Sequence, residues 1–192
     1  MSTSSPGRPA VHSRARIVAE ARLLADEEGL EALTVRRIAQ RLGTGQASLY
    51  RHIADRGELL GLLAEDVAEQ LPRPRAEGDP RTALIETWTE VYDYLARHRW
   101  AARIIAEGEH VVPGAESFAR SVVAALRSLA PAEADEADTA RAYRVLWNLL
   151  IGHVLNEHPT GHALANGRPA PADTSRADFL WALPRILGAV LR

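Results

Sequence analysis

The 192-residue chain contains no cysteine and no lysine. Without cysteine it can form no disulfide, no thiolate metal site and no cysteine nucleophile. Without lysine, all 23 basic residues are arginine. The arginine fork donates two parallel hydrogen bonds and suits phosphate and guanine. The same bias, with abundant alanine, points to a GC-rich genome. No apolar run approaches 18 residues, so a membrane span is not expected. Met1–Pro9 lacks the apolar core of a signal peptide and reads as a polar arm. A cytoplasmic location is the expectation. Strand-type alternation is nearly absent. There is no GxSxG, phosphate loop, HExxH or convincing carboxylate pair, so an enzyme is not expected and no cofactor is implied.

The charge that is present is unevenly placed. Residues 1–56 carry nine arginines and six acids, a charge of +3, while residues 57–192 carry fourteen and nineteen, −5. A basic N-terminal piece on an acidic remainder fits a nucleic-acid-binding module joined to a partner domain.

Helical periodicity dominates, and an all-α fold is expected. The first helix spans about 13–28, with Ile17, Ala21 and Leu24 on one face, and Gly29 stops it. Thr34 caps a short second helix with Val35, Ile38, Ala39 and Leu42 aligned. Gly43 ends it, and Thr44 or Gly45 starts a third helix that runs to about Ile53. Asp55 caps a fourth, reaching Leu71, with Leu59, Leu63 and Val67 inward. Asp79-Pro80 opens the next, with Leu84, Trp88, Val91, Tyr92 and Leu95 on one stripe. Further helices are expected near 100–107, from Pro113 (Phe118, Val122, Leu126, Leu129), near 138–156 (Tyr143, Trp147, Leu150, Ile151, Val154) and over 175–191. In the last, Phe179, Leu183, Ile186, Leu187 and Val190 point inward, and Pro184 removes one backbone donor and should kink it. Residues 158–173 read as a loop.

The informative stretch is 34–53, two short helices meeting at a tight turn. Ala39 is small where the helices cross, and Gly43 tolerates the positive φ a turn needs. Val35, Ile38, Leu42, Leu49 and Ile53 supply a shared core. Gln46, Ser48, Tyr50, Arg51 and His52 present hydrogen-bonding groups on the other face. On pattern alone, a generic helical hairpin with a polar outside stands beside a helix-turn-helix.

Leu33-Thr34, Ile38-Ala39, Leu42-Gly43, Leu49-Tyr50, His52, Arg56 and Glu58-Leu59-Leu60 resemble the DNA-binding domain of the TetR family of bacterial regulators. The resemblance covers about residues 13–63. It implies an N-terminal three-helix helix-turn-helix DNA-binding domain and a C-terminal helical ligand-binding and dimerisation domain. The expected division is a flexible arm over 1–12, the DNA-binding domain over 13–56 and the helical body over 57–192. Residues 46–52 would form the recognition helix. Arg36, Gln46, Ala47 and Ser48 would face base edges, with Arg51 available, while Thr34, Tyr50, His52 and Arg56 would hold phosphates or sugars. Arg8, Arg14 and Arg16 could add phosphate contacts from the arm. Gly45 departs from the family, which often has a polar residue there, and Gly57 loosens the start of the fourth helix.

The same resemblance implies a homodimer built on the helices near 138–156 and 175–191, double-stranded operator DNA as partner, and a small-molecule effector in the body. Ligand-binding candidates are Trp88, Tyr92, His110, Trp147 and Asn156, with Trp100, His153 and His158 beside them; core packing is the competing role for Trp88, Tyr92 and Trp147. Glu107, Glu109 and His110 form a small acid–imidazole group, but no metal site is assigned. Asn156 stands where an acid would be needed for a metal-bound drug. The expected function is a sequence-specific transcriptional regulator, a repressor released from a palindromic operator by a hydrophobic or aromatic ligand. The alternatives are a regulator or activator with no effector, or a helical small-molecule carrier or enzyme.

Overall fold

The computed structural model describes residues 13–110, 112–156 and 174–191. The arm over 1–12, with Arg8, and the whole 158–173 loop, with His158, lie outside the described residues. Every regular element among the described residues is helical. The chain divides into two compact units between Asp66 and Val67, whereas the sequence suggested a boundary at 56/57.

The N-terminal unit opens with α1, Arg14–Glu28, capped by Ser13 through the Arg16 N–H and ended at Gly29, whose φ is +83°. A single 3₁₀ turn, Leu30–Ala32, leads to α2, Val35–Arg41, with Thr34 as N-cap accepting from the Arg37 N–H. After the turn comes α3, Gln46–Leu49, then α4, Arg56–Gln70. Helix α1 packs on the 3₁₀ turn and on α2, and α2 packs on α3. Ile17, Ala21, Leu24, Leu33, Ile38, Ala39, Leu49, Ile53, Leu59 and Leu63 form the buried interior. Leu42, expected in that core, is only half-buried because it is already the C-cap of α2.

Polar ties explain why most of α4 belongs to this unit. Arg22 Nη1 meets Asp66 Oδ2 at 2.9 Å, and Arg14 pairs with Glu58. Arg56 donates to the Leu33 carbonyl at 3.0 Å and to the Leu30 carbonyl at 3.2 Å. About three turns of α4 are thus stitched to segments that precede it, and these partners lie 23–44 residues back in the chain.

The C-terminal unit contains α5, Pro80–Arg97, α6, Arg99–Glu107, α7, Pro113–Leu129, α8, Glu136–Leu155, and α9, Thr174–Val190. Asp79 caps α5 through the Thr82 N–H and Pro80 fills its first turn. The Thr82 bonds hold the Asp79 carboxyl below its usual range. Helix α8 starts two residues earlier than expected because Asp135 and Asp138 form a reciprocal capping box. Helix α8 touches α5, α6, α7 and α9, and α5 touches α6, α7 and α9.

The inward faces correct two expected stripes. In α8 the buried residues are Thr139, Ala142, Leu146, Leu150 and Val154. Tyr143, Trp147 and Ile151 sit one position round and are half-buried. A helix with neighbours on several sides is apolar on several sides, so periodicity does not single out one face. In α9 the buried residues are Ser175, Phe179, Leu183 and Leu187, at strict four-residue spacing; Ile186 and Val190 are half-buried. The helix continues through Pro184. Arg81 donates to the Pro184 carbonyl at 2.9 Å and passes so close to Gly188 that a Cβ there would lie 3.1 Å from it. Among the described residues no helix is long and apolar enough to cross a membrane.

Candidate nucleic-acid interface and ligand-binding residues

Geometry at the helix-turn-helix follows from two glycines and one cap. Gly43 has φ +64°, a conformation that costs side-chain-bearing residues energy. It lets the Thr44 N–H return to the Ala39 carbonyl at 2.9 Å. Gly45 is the N-cap of α3 and supplies no side-chain bond, only its carbonyl to the Ser48 N–H at 3.0 Å. Leu49 and Ile53 anchor the segment inward, with 0% and 1% of their surface exposed.

The outward face then holds the expected polar groups. Gln46, Ala47 and Arg51 are exposed, Tyr50 is 53% exposed, and Ser48 and His52 are half-buried. Arg51 Nη2 donates to Ser48 Oγ at 3.1 Å, so these two act as one polar unit. The regular helix is shorter than the expected 46–52. After Leu49 the chain tightens: the His52 and Ile53 N–H groups both go to the Leu49 carbonyl, at 2.8 and 3.0 Å.

On α2, arginines divide by partner. Arg37 reaches both Glu28 oxygens at 2.6 and 2.9 Å, and Arg41 pairs with Glu20 and Glu27. That pairing lowers the Glu27 carboxyl and raises the Arg41 guanidinium from their usual values. Arg36 is exposed and takes no ion-pair partner among the described residues. Basic charge is thus neutralised on one side of α2 and left available at Arg36.

Two expected phosphate contacts sit differently. Arg56 is occupied by the Leu30 and Leu33 carbonyls, so it braces the turn just before Thr34. Arg14, assigned to a loose arm, lies in α1; its Nε donates to the His52 carbonyl at 3.1 Å and its Nη2 pairs with Glu58. Glu58 also accepts from the Ala54 N–H at 2.6 Å, and its own N–H goes to Asp55 at 2.8 Å. This clamp on the exit of α3 was not expected. The Asp55-x-x-Glu58 spacing carried half the signal; the Arg14 partner, 44 residues away, left none in sequence.

In the C-terminal unit the five ligand candidates do not form one site. Trp88 has no exposed surface. It lies 5.9 Å from the Trp147 ring, edge-on, and 6.3 Å from Tyr143. Tyr143 and Trp147 are nearly parallel at 6.0 Å, and Phe118 lies 5.9 Å from Trp147. Tyr92 stacks instead on Phe179 at 4.8 Å, and His153 meets Phe179 edge-on at 5.8 Å. Trp100 lies 6.2 Å from His98. His110 is half-buried beyond the end of α6. Asn156 is exposed and caps α8, lining a cleft of about 380 Å³ with Asn148, His153, Ser175 and Asp178. A second cleft, about 540 Å³, lies among the 130–134 segment, α8 and Val190-Leu191. Among the described residues, no group of three or more metal-ligating side chains is placed to hold a metal, Glu107, Glu109 and His110 included.

Comparison with known proteins agrees with this architecture. The family described as "Bacterial regulatory proteins, tetR family" matches residues 17–62. The HTH-type transcriptional repressor DrrR1 of Streptomyces coeruleorubidus is 35% identical over 116 residues, 59% of this chain and 43% of that protein. The chain therefore spans less than half of this relative's length. An HTH-type transcriptional regulator of Saccharopolyspora erythraea is 31% identical over 164 residues, 84% of this chain and 68% of that protein. The crystal structure of the Streptomyces coelicolor TetR family protein ActR in complex with (S)-DNPA superposes with a TM-score of 0.75 and 25% identity, covering 94% of this chain and 97% of that one. A helix-turn-helix with an exposed polar α3, an all-helical C-terminal unit, and these matches together establish that the chain belongs to the TetR family of bacterial transcriptional regulators.

Proposed function

We propose that this regulator is a homodimeric repressor that occupies a near-palindromic operator and leaves it when a small hydrophobic or aromatic molecule binds the C-terminal unit. The observation that carries the DNA-binding role is the polar, outward face of α3 resting on a buried Leu49–Ile53 base. Arg36, Gln46, Ala47 and Ser48 read base edges; Arg51, held to Ser48, adds to them. Thr34, Tyr50 and His52 take phosphates or sugars, while Arg56 contributes chiefly by bracing the turn before Thr34.

Dimerisation through α8 and α9 is supported by Trp181, which is 63% exposed, and Val145, 39% exposed, since large exposed apolar groups mark contact surfaces. A two-fold dimer sets its two recognition helices about one DNA turn apart, hence the near-palindrome. An effector that binds better to a dimer with wrongly spaced helices lowers operator affinity by linkage. The relative ActR has been crystallised with (S)-DNPA, which supports a small-molecule ligand for this chain. A regulator without effector is the second reading, favoured by the dispersal of the five ligand candidates over separate places in the unit.

Selecting genomic fragments that the protein retains, then gel shifts on them with and without ligands found by thermal shift, tests both parts. Retention of no preferred fragment rejects sequence-specific binding. Ligand binding that leaves operator affinity unchanged rejects the induced release.

A further inference from the structure

Midway along α5, the Trp88 indole Nε1–H is buried and has no hydrogen-bond partner among the described residues. A donor in that state has given up its bond to water for nothing, and native proteins rarely retain one. The indole nitrogen only donates, so what it lacks is an acceptor. The rings around it are Tyr143, Trp147 and, through Trp147, Phe118. Tyr143 and Trp147 stand one turn apart on α8 with planes 17° apart, and both are half-buried. The aromatic group therefore runs from the fully enclosed Trp88 out toward the surface.

A set of rings alone would suit a cation. Here the indole N–H presents its positive end, which a cation does not satisfy. Burial pushes the Tyr143 hydroxyl up to about 12, so at neutral pH the group carries no negative charge to hold a cation either. None of the four rings carries a positive charge, so an anion buried among them would find no counter-charge there.

We infer that Trp88 is the anchor of the effector site, and that the effector is a neutral, flat, conjugated molecule whose carbonyl oxygen accepts from Trp88 Nε1. This rests on the reading that the C-terminal unit takes a small ligand. Flat rings gain by offset stacking or edge contact with Tyr143 and Trp147, and the single acceptor fixes orientation.

The test uses the ¹⁵N-labelled full-length protein, with 9-fluorenone, its carbonyl-free counterpart fluorene, and benzyltrimethylammonium as probes. The chain has four tryptophans. Trp88→Phe identifies the Trp88 indole cross-peak; if that variant folds poorly, Trp100→Phe, Trp147→Phe and Trp181→Phe identify it by elimination. Fluorenone should move the Trp88 peak downfield and bind roughly tenfold more tightly than fluorene, the scale of one buried hydrogen bond. Trp88→Phe should erase that preference, so that fluorenone and fluorene bind the variant about equally. The assignment is overturned if fluorenone binds with the Trp88 peak unmoved, if the preference survives Trp88→Phe, or if the ammonium probe binds best. If no probe binds, the inferred ligand class is overturned, while the thermal-shift search decides separately whether the unit takes a ligand at all.

Discussion

At the scale of single residues, the interface divides into side chains with partners and side chains without. Arg36 and Gln46 are exposed, so removing either leaves the fold alone. Arg36→Ala or Gln46→Ala should cost roughly 1–3 kcal/mol on the operator and relax preference at one base position. Gel shifts on operators with single-base changes read this; equal weakening on every sequence would reject the base-reading role. Arg56 is different, because its guanidinium serves two carbonyls. Arg56→Ala should lower stability to urea by about 1–2 kcal/mol and weaken all DNA sequences alike. Unchanged stability would return Arg56 to a direct phosphate role. The exposed and capping residues were readable from sequence because a cap or an outward position is a local property. The partners of Arg14 and Arg56 were not, because they lie 23 or more residues away.

Among the elements, the turn between α2 and α3 is the most constrained. A Cβ at Gly43 would meet nothing within 4 Å, so the cost of Gly43→Ala comes from the backbone alone, about 1–2 kcal/mol. Thr34→Ala should cost about 1 kcal/mol by removing the cap of α2. Urea melts of the two variants measure both; a neutral Gly43→Ala would mean the turn can reach a negative φ without loss. Helix α3 is so short that its position depends on what grips its exit. The bonds from Arg14 to the His52 carbonyl and from the Ala54 N–H to Glu58 do that. Caps were legible in the sequence at Thr34, Asp55 and Asp79, each directly before an apolar repeat, whereas the Asp135 cap of α8 lay hidden in an acidic run. The buried faces of α8 and α9 were not, because the neighbours of a helix, rather than its own period, select which apolar side is covered.

For the whole molecule, assembly and pH response follow from the C-terminal unit. Trp181 is largely exposed, with the Arg185 guanidinium 4.2 Å from its ring centroid. Trp181→Glu should convert a dimer into monomers in sedimentation and reduce operator affinity, at a cost of about 2 kcal/mol or more if Trp181 is a central anchor. A variant that sediments as wild type would move the interface elsewhere. Arg176 holds Asp93 through two bonds of 2.7 and 2.9 Å, tying α9 to α5. Its guanidinium keeps the Asp93 carboxyl below the usual value. A depressed folded value stabilises the protein above the unfolded pKa, near 3.9, and that gain fades as pH falls through the folded value. Asp93→Asn should therefore melt slightly below wild type at pH 6 and level with it at the acid end. The difference is small because both side chains are more than a third exposed to screening solvent. A gap that widened toward low pH would contradict the assignment.

The sequence by itself determined the class of fold, the caps and stops of most helices, and the polar face of α3. Each of these is set by residues within a few positions of one another, through backbone geometry and the helical repeat. Tertiary structure decided the rest: that Arg56 and Arg14 bond to groups far back or far ahead in the chain, that most of α4 joins the N-terminal unit, and that Trp88 is buried among rings with no partner for its donor among the described residues. Those outcomes depend on which distant segments come into contact, and a pattern read along the chain carries no distance across it.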